Sequence, residues 1–160
     1  MNKLVNKEAK GFTIIEVVLV LAIAGLIFLV VFLALPALQR SQRDTQRKSD
    51  LGRFMSQVTN YSSNNQGSLP GATSAAWNTF VGNYLTNNNQ SFSDPQSGST
   101  YTVTYSSTAP TSAVTLTAGN INVYAGSICG GSFGAQSGGG SRTFAALIYE
   151  EQGGYYCQNN

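Results

Sequence analysis

Histidine is missing from all 160 residues, and with it goes the commonest general base and metal ligand. A Ser–His–Asp or Cys–His catalytic site is therefore excluded. Charge is scarce as well. Asp, Glu, Lys and Arg make up 10% of the chain, against about a quarter in an ordinary soluble domain. Beyond Arg53 the only charged residues are Asp94, Arg142, Glu150 and Glu151. Glu150 and Glu151 are neighbours, and neighbours on a strand point to opposite faces, so a facing pair of catalytic carboxylates is not built from them. Together with Asp94 they are too few for a calcium cage, which takes roughly 6–8 oxygen ligands. The glycine clusters Gly130-Gly131-Ser132-Phe133-Gly134 and Gly138-Gly139-Gly140 lack the Gly-Lys-Ser/Thr ending of a phosphate loop. No active site, metal site or cofactor is expected, and the chain reads as something other than an enzyme.

One stretch lacks polarity altogether. From Val17 to Leu38 no side chain is charged or polar, and that run is long enough to cross a bilayer as a helix, which takes about 20 residues. Glu16 sits at its front, where a charge is costly in lipid unless something pairs with it. Lys3, Lys7 and Lys10 precede it. A secretory signal peptide places its apolar region before the cut; here the apolar region follows Gly11 and would stay in the mature protein. The basic leader, the Gly11-Phe12 junction, Glu16 four residues after Phe12 and the apolar run behind it together resemble the bacterial type IV pilins and their pseudopilin relatives. The resemblance covers roughly the first 40 residues.

The resemblance implies that a prepilin peptidase cuts between Gly11 and Phe12 and methylates the new N-terminus, making Phe12 an N-methyl-phenylalanine. It implies that Glu16 neutralises the N-terminal amine of a neighbouring subunit during assembly. Pairing with the amine of Phe12 in the same chain, one turn away, and a merely interfacial Glu16 are the alternatives; an unpaired buried charge is the expensive case. Gly25 and Pro36 interrupt the apolar run and mark where the helix would kink or unwind in a bundle. Filaments of the family show such a melted section, although Pro36 lies further along than the family's usual helix-breaking proline. The expected partners are other pilin subunits in a homopolymer with minor pilins, the peptidase, the inner-membrane assembly machinery and, before assembly, the membrane. Lys and Arg flank both ends of the run, so their count leaves the orientation open; the resemblance puts the leader in the cytoplasm and the head outside. Cys129 and Cys157 then lie in an oxidising compartment. An isolated pair there reads as a disulfide rather than a metal site, as does the C-terminal disulfide of pilins, whereas major pseudopilins commonly carry calcium in its place.

Past Leu38 the residues run polar without a breaker to Asp50. The spacings Arg40–Asp44, Asp44–Lys48 and Arg47–Asp50 predict a solvated helix face paired with itself. The arginines invite a nucleic-acid reading, but Asp44 and Asp50 dilute them and no aromatic interleaves them, so DNA binding is unsupported. Leu51, Phe54, Met55, Val58 and Tyr61 then form a one-sided stripe, and Ser62–Gly67 stops the helix. In the remainder, Ser74 is expected to cap a short helix carrying Trp77, Phe80, Val81, Tyr84 and Leu85. Strands are expected around Tyr101–Tyr105, Val114–Leu116, Ile121–Tyr124, Thr143–Tyr149 and Tyr155–Cys157, with Gly119-Asn120 as a hairpin turn. The fold expected is α+β: a long N-terminal helix with a four- or five-stranded antiparallel sheet, as in pilins. The domains expected are a leader at 1–11, a transmembrane and polymerisation helix at 12–38, its continuation at 39–62 and a globular head at 63–160. The function expected is that of a pilus subunit serving adhesion, twitching motility or DNA uptake, first in the inner membrane as a single-pass precursor and then on the cell surface. A pseudopilin of a type II secretion system and a membrane-tethered binding module that never polymerises are the alternatives.

Overall fold

A computed structural model describes residues 11–87 and 91–160. The leader before Gly11 lies outside the described residues, as do Asn88 and Asn89, expected at the end of the second helix. The chain divides into two units, one reaching to Gln39 and the other spanning Arg40–Asn160. Helix α1, Ile14–Asn64, contributes to both. Its first part is the apolar run, whose large side chains from Ile14 to Leu35 and at Leu38 are exposed. It is the one described helix long and apolar enough to cross a membrane. The helix runs on through Gly25 and Pro36.

In the second unit α1 turns its stripe inward. Leu51, Phe54, Met55 and Val58 are buried and Tyr61 packs on the same core. The helix ends where Gln66 and Gly67 take positive φ and the Gly67 N–H returns to the Ser62 carbonyl at 2.8 Å, closing the last turn. Helix α2, Ser74–Tyr84, is capped by Thr73, whose hydroxyl accepts from the Ala76 N–H. The cap is thus one residue earlier than Ser74. The difference follows from backbone: Thr73 is extended and Ser74 is already helical, as the cap position requires. Trp77, Phe80, Val81 and Leu85 are buried, and Tyr84 is exposed.

The strands are β1 Thr102–Ser106, β2 Asn120–Ala125, β3 Ser127–Cys129, β4 Ala135–Ser137, β5 Phe144–Glu150 and β6 Gly154–Asn159. Four of them form one sheet in the order β1-β2-β5-β6. The layout is α+β as expected, with antiparallel pairing at β2–β5 and β5–β6 and parallel pairing at β1–β2. Strand β2 has β1 on one side and β5 on the other, so Gly119-Asn120 is not the turn of a hairpin onto β2. Gly119 instead turns the chain into β2 at φ +80. No strand forms at Val114–Leu116 either. Strand β2 already has a neighbour on each side, so those two residues pack with Tyr124, Ala135, Ala145 and Leu147 on the sheet face away from the main core. The other face meets α1 and α2 through Val103, Ile121, Val123, Phe144, Ala146 and Ile148. Strand β5 is buried on both faces, which explains its continuous apolar run.

The glycine-rich segment before β5 holds more structure than its composition suggests. Strands β3 and β4 pair antiparallel within it. Gly134, at φ +91, lets the chain pass under Leu147 and Tyr155; a Cβ there would lie 2.5 Å from the Leu147 side chain. Cys129 at the end of β3 is bonded to Cys157 in β6, 28 residues on. Closing a loop of that length stabilises a fold by about 3.5 kcal/mol in the chain-entropy model. Cys129→Ser and Cys157→Ser are each expected to lower head stability by about 2–4 kcal/mol and to make residues 130–156 the first site of proteolysis. Limited proteolysis of wild type and variants checks this; equal cleavage rates would contradict it.

Candidate functional site

The N-terminal site is built on the first turn of α1. Thr13 precedes the helix, and its backbone N–H and hydroxyl both donate to Oε2 of Glu16, at 2.9 and 2.8 Å. The Glu16 N–H is 3.4 Å from the Thr13 hydroxyl, which accepts in return. This is a reciprocal capping box: Thr at the cap and Glu three residues on satisfy donors that a helix start otherwise leaves free. Thr-x-x-Glu was legible in the sequence, and the residue missed there was Thr13. The same bonds give the Glu16 carboxylate two partners inside a single chain, which lowers the cost of holding a charge at the front of an apolar helix. Among the described residues Glu16 makes no ion pair.

Ahead of the box, nothing among the described residues blocks access to Gly11 and Phe12. Phe12 is 89% exposed. A Cβ built on Gly11 would meet nothing within 4 Å, and the same holds at Gly25. The glycine at 11 is therefore not required by its own fold. Behind the box, the apolar side chains from Val17 to Leu38 have no cover. An uncovered apolar surface of this extent marks contact with lipid or with other apolar helices.

A second constellation lies within the Arg40–Asn160 unit. Arg47 on α1 is fully buried, and its guanidinium donates to Asp94 at 2.6 Å, Asp44 at 3.0 Å and Glu151 at 2.9 Å. It also lies over the Tyr149 ring, 5.3 Å from the centroid. Arg43 grips Glu151 with two bonds of 2.6 Å, and Lys48 pairs with Glu150 at 2.6 Å. Asp44 accepts from the backbone N–H groups of Glu151 and Gln152. Asp94 accepts from those of Gln96 and Ser97, which fixes the expected turn. The solvated, self-paired face expected at 39–50 is thus corrected. Asp44, Arg47 and Asp50 are buried, and Arg43, Arg47 and Lys48 take partners from the turns at 94–97 and 150–152. The reason is helical phase: the inward stripe at Leu51, Phe54 and Val58 continues backward onto Arg47 and Asp44.

These contacts set the charge states. Hydrogen bonding to Arg43 and then Arg47, against the effect of burial, holds Glu151 down at about 2. Burial alone would raise Asp94, but the bonds from Arg47 and the Ser97 and Gln96 N–H groups overcome it and keep its value low. Burial pushes Asp50 up, and pushes up Tyr101, whose hydroxyl donates to Asp50 at 3.4 Å. Among the described residues no group of acids is placed to hold a metal ion.

No curated protein and no solved structure matches the chain. A family model does: the prokaryotic N-terminal methylation motif matches residues 6–32. Those residues take in Gly11, Phe12, the Thr13–Glu16 box and the front of the uncovered helix. The motif points to a structural subunit rather than an enzyme, and to a membrane-anchored precursor. On the strength of residues 6–32, the chain carries the prepilin signature of the type IV pilins and pseudopilins.

Proposed function

We propose that this chain is a type IV pilus subunit that polymerises through the N-terminal half of α1. The observation that carries the reading is the bare apolar run from Val17 to Leu38, fronted by Glu16 and joined to the Gly11-Phe12 bond. In this reading residues 1–11 are a leader, 12–38 the membrane and polymerisation helix, 39–62 its continuation and 63–160 the head. A prepilin peptidase cuts after Gly11 and methylates Phe12. The helix waits in the inner membrane with the head outside, and the assembly machinery moves it into a fibre beside other subunits. Glu16 exchanges its bonds to Thr13 for the amine of a neighbouring Phe12. Gly25 and Pro36 are where the helix gives way when helices bundle. The Cys129–Cys157 disulfide favours a pilus subunit over a calcium-bearing major pseudopilin.

Fibres sheared from cells test the reading. They should contain this chain, with an intact mass equal to residues 12–160 plus one CH2 for the methylation and less two hydrogens for the disulfide. A chain found only in the membrane fraction of fibre-bearing cells would overturn it. Gly11→Trp should leave more than about nine-tenths of the protein uncut, since a bulky side chain occupies the place where the peptidase approaches an otherwise open backbone. Immunoblots of precursor and mature forms measure this, and normal processing of the variant would remove the prepilin reading.

A further inference from the structure

Among the described residues the outer edge of β1 has no strand beside it, yet three of its outward backbone groups are engaged, the N–H and carbonyl of Val103 and the N–H of Tyr105. In the parallel pair with β2, the Thr102 N–H donates inward to the Gly119 carbonyl at 2.9 Å. Alternate residues must then present their backbone groups outward. Those of Val103 are met by one side chain of α2: the Val103 N–H donates to Oδ1 of Asn78 at 2.8 Å, and Nδ2 of Asn78 donates to the Val103 carbonyl at 3.1 Å. The Tyr105 N–H donates to the Ser74 hydroxyl at 2.9 Å. Just before the strand, the Tyr101 N–H donates to the Phe92 carbonyl at 3.2 Å. Asn78 is tethered in turn to the Ser74 carbonyl at 2.8 Å, one helical turn back. Its carboxamide makes the two bonds that a neighbouring strand would make.

We infer that Asn78, with Ser74, acts as a built-in stand-in for an edge strand and closes the β1 edge to strand addition by a second copy of this chain. An open edge is a template for pairing with another chain. A protein stored at high density in a membrane before ordered assembly is exposed to that hazard, and this consequence rests on the filament reading; the closure of the edge does not. The sequence of the edge makes the need plain. Strand β1 is Thr-Val-Thr-Tyr-Ser, with high strand propensity, no charge and no proline, so its own sequence does nothing to discourage pairing.

The test uses the full chain purified in detergent, compared as wild type, Asn78→Ala, Ser74→Ala and Asn78→Ala with Thr104→Lys. Hydrogen exchange at the Val103 amide is expected to quicken at least tenfold in Asn78→Ala while amides of β5 stay unchanged. Ser74→Ala removes only the acceptor of the Tyr105 N–H and is expected to quicken exchange at Tyr105 while Val103 stays protected. Sedimentation should show concentration-dependent association in Asn78→Ala beyond that of wild type, and Thr104→Lys, which places a charge on the same edge, should abolish the excess. Unchanged exchange and unchanged association in Asn78→Ala would overturn the inference, as would association that Thr104→Lys fails to suppress. If Asn78→Ala does not fold, Ser74→Ala decides: unchanged exchange at the Tyr105 amide in a folded Ser74→Ala head would also overturn it. Fibre counts play no part in the readout, so failure here leaves the filament reading untouched.

Discussion

Cells carrying Glu16→Ala are expected to accumulate cleaved, membrane-resident monomer and to make few or no fibres. The substitution leaves the Gly11-Phe12 bond intact, so processing should persist. It removes a charge from the apolar helix, so insertion should be at least as good as in wild type. What it takes away is the partner for the next subunit's amine. A charge left uncompensated in an apolar bundle costs several kcal/mol per subunit, enough to stop a polymer whose every step repeats the penalty. Glu16→Gln keeps the size and the Thr13 bonds but not the charge, and should behave similarly. The capping box sharpens the test, because losing it alone costs only about 1 kcal/mol of helix stability. Thr13→Ala should therefore reduce fibres far less than Glu16→Ala. Fibre yield by shearing, against monomer in the membrane fraction, measures both. Normal fibre abundance in Glu16→Ala would refute the assembly role of the carboxylate.

Arg47→Met is expected to destabilise the head by about 3–5 kcal/mol, the cost of removing one partner from a buried ion group. Asp94 is left fully buried with only backbone donors, and Asp44 and Glu151 each lose a bond. Denaturant unfolding of the full chain in detergent measures the loss; a change below about 1 kcal/mol, the range of an exposed pair, would show the cluster to be energetically idle. The same cluster makes the head acid-labile. Glu151 has a folded value of about 2 against an ordinary 4.5, and Asp94 is likewise lowered. Groups held low contribute stability that is whole above their ordinary values and is lost as the pH falls through the folded ones. Stability should therefore decline between about pH 4.5 and 2. Asp50, held high by burial, works in the opposite direction and softens the decline. In Arg47→Met the decline should be shallower, because less of the shift remains to lose.

Much of the fold was legible because period and punctuation agreed. The stripe at Leu51–Tyr61 and the alternation at Tyr101–Tyr105 each had one reading, and each became a buried face. The N-terminal site was legible for a different reason: a long apolar run with a single carboxylate at its front has few physical uses. What sequence reasoning missed lies where partners are distant. Local spacing paired Arg47 with Asp50, three residues away, while its strongest partner is Asp94. Two signals could have found it. Extending the stripe backward by one turn puts Arg47 and Asp44 on the inward face. And in a head with almost no charge, the acids at 94, 150 and 151 are the only ones in the sequence beyond α1. The parallel β1–β2 pair was hidden because Gly119-Asn120 is good turn chemistry either way, and only the pairing of β2 with β5 shows that the turn joins no hairpin.

The ion cluster also fixes how the head would bear tension. A pull along α1 within the Arg40–Asn160 unit reaches Arg43 and Arg47 before it reaches the apolar stripe. Those two side chains grip the head at the 94–97 turn and at the β5–β6 turn. The strand leaving the second of these turns is bolted to β3 by the disulfide. Load is therefore shared among several short bonds strained side by side, which must stretch together, and is not passed to one bond after another as in an opening zipper. For a subunit whose proposed work is to sit in a fibre under traction, the front of the head is the place where yielding would start and where this chain is most heavily braced.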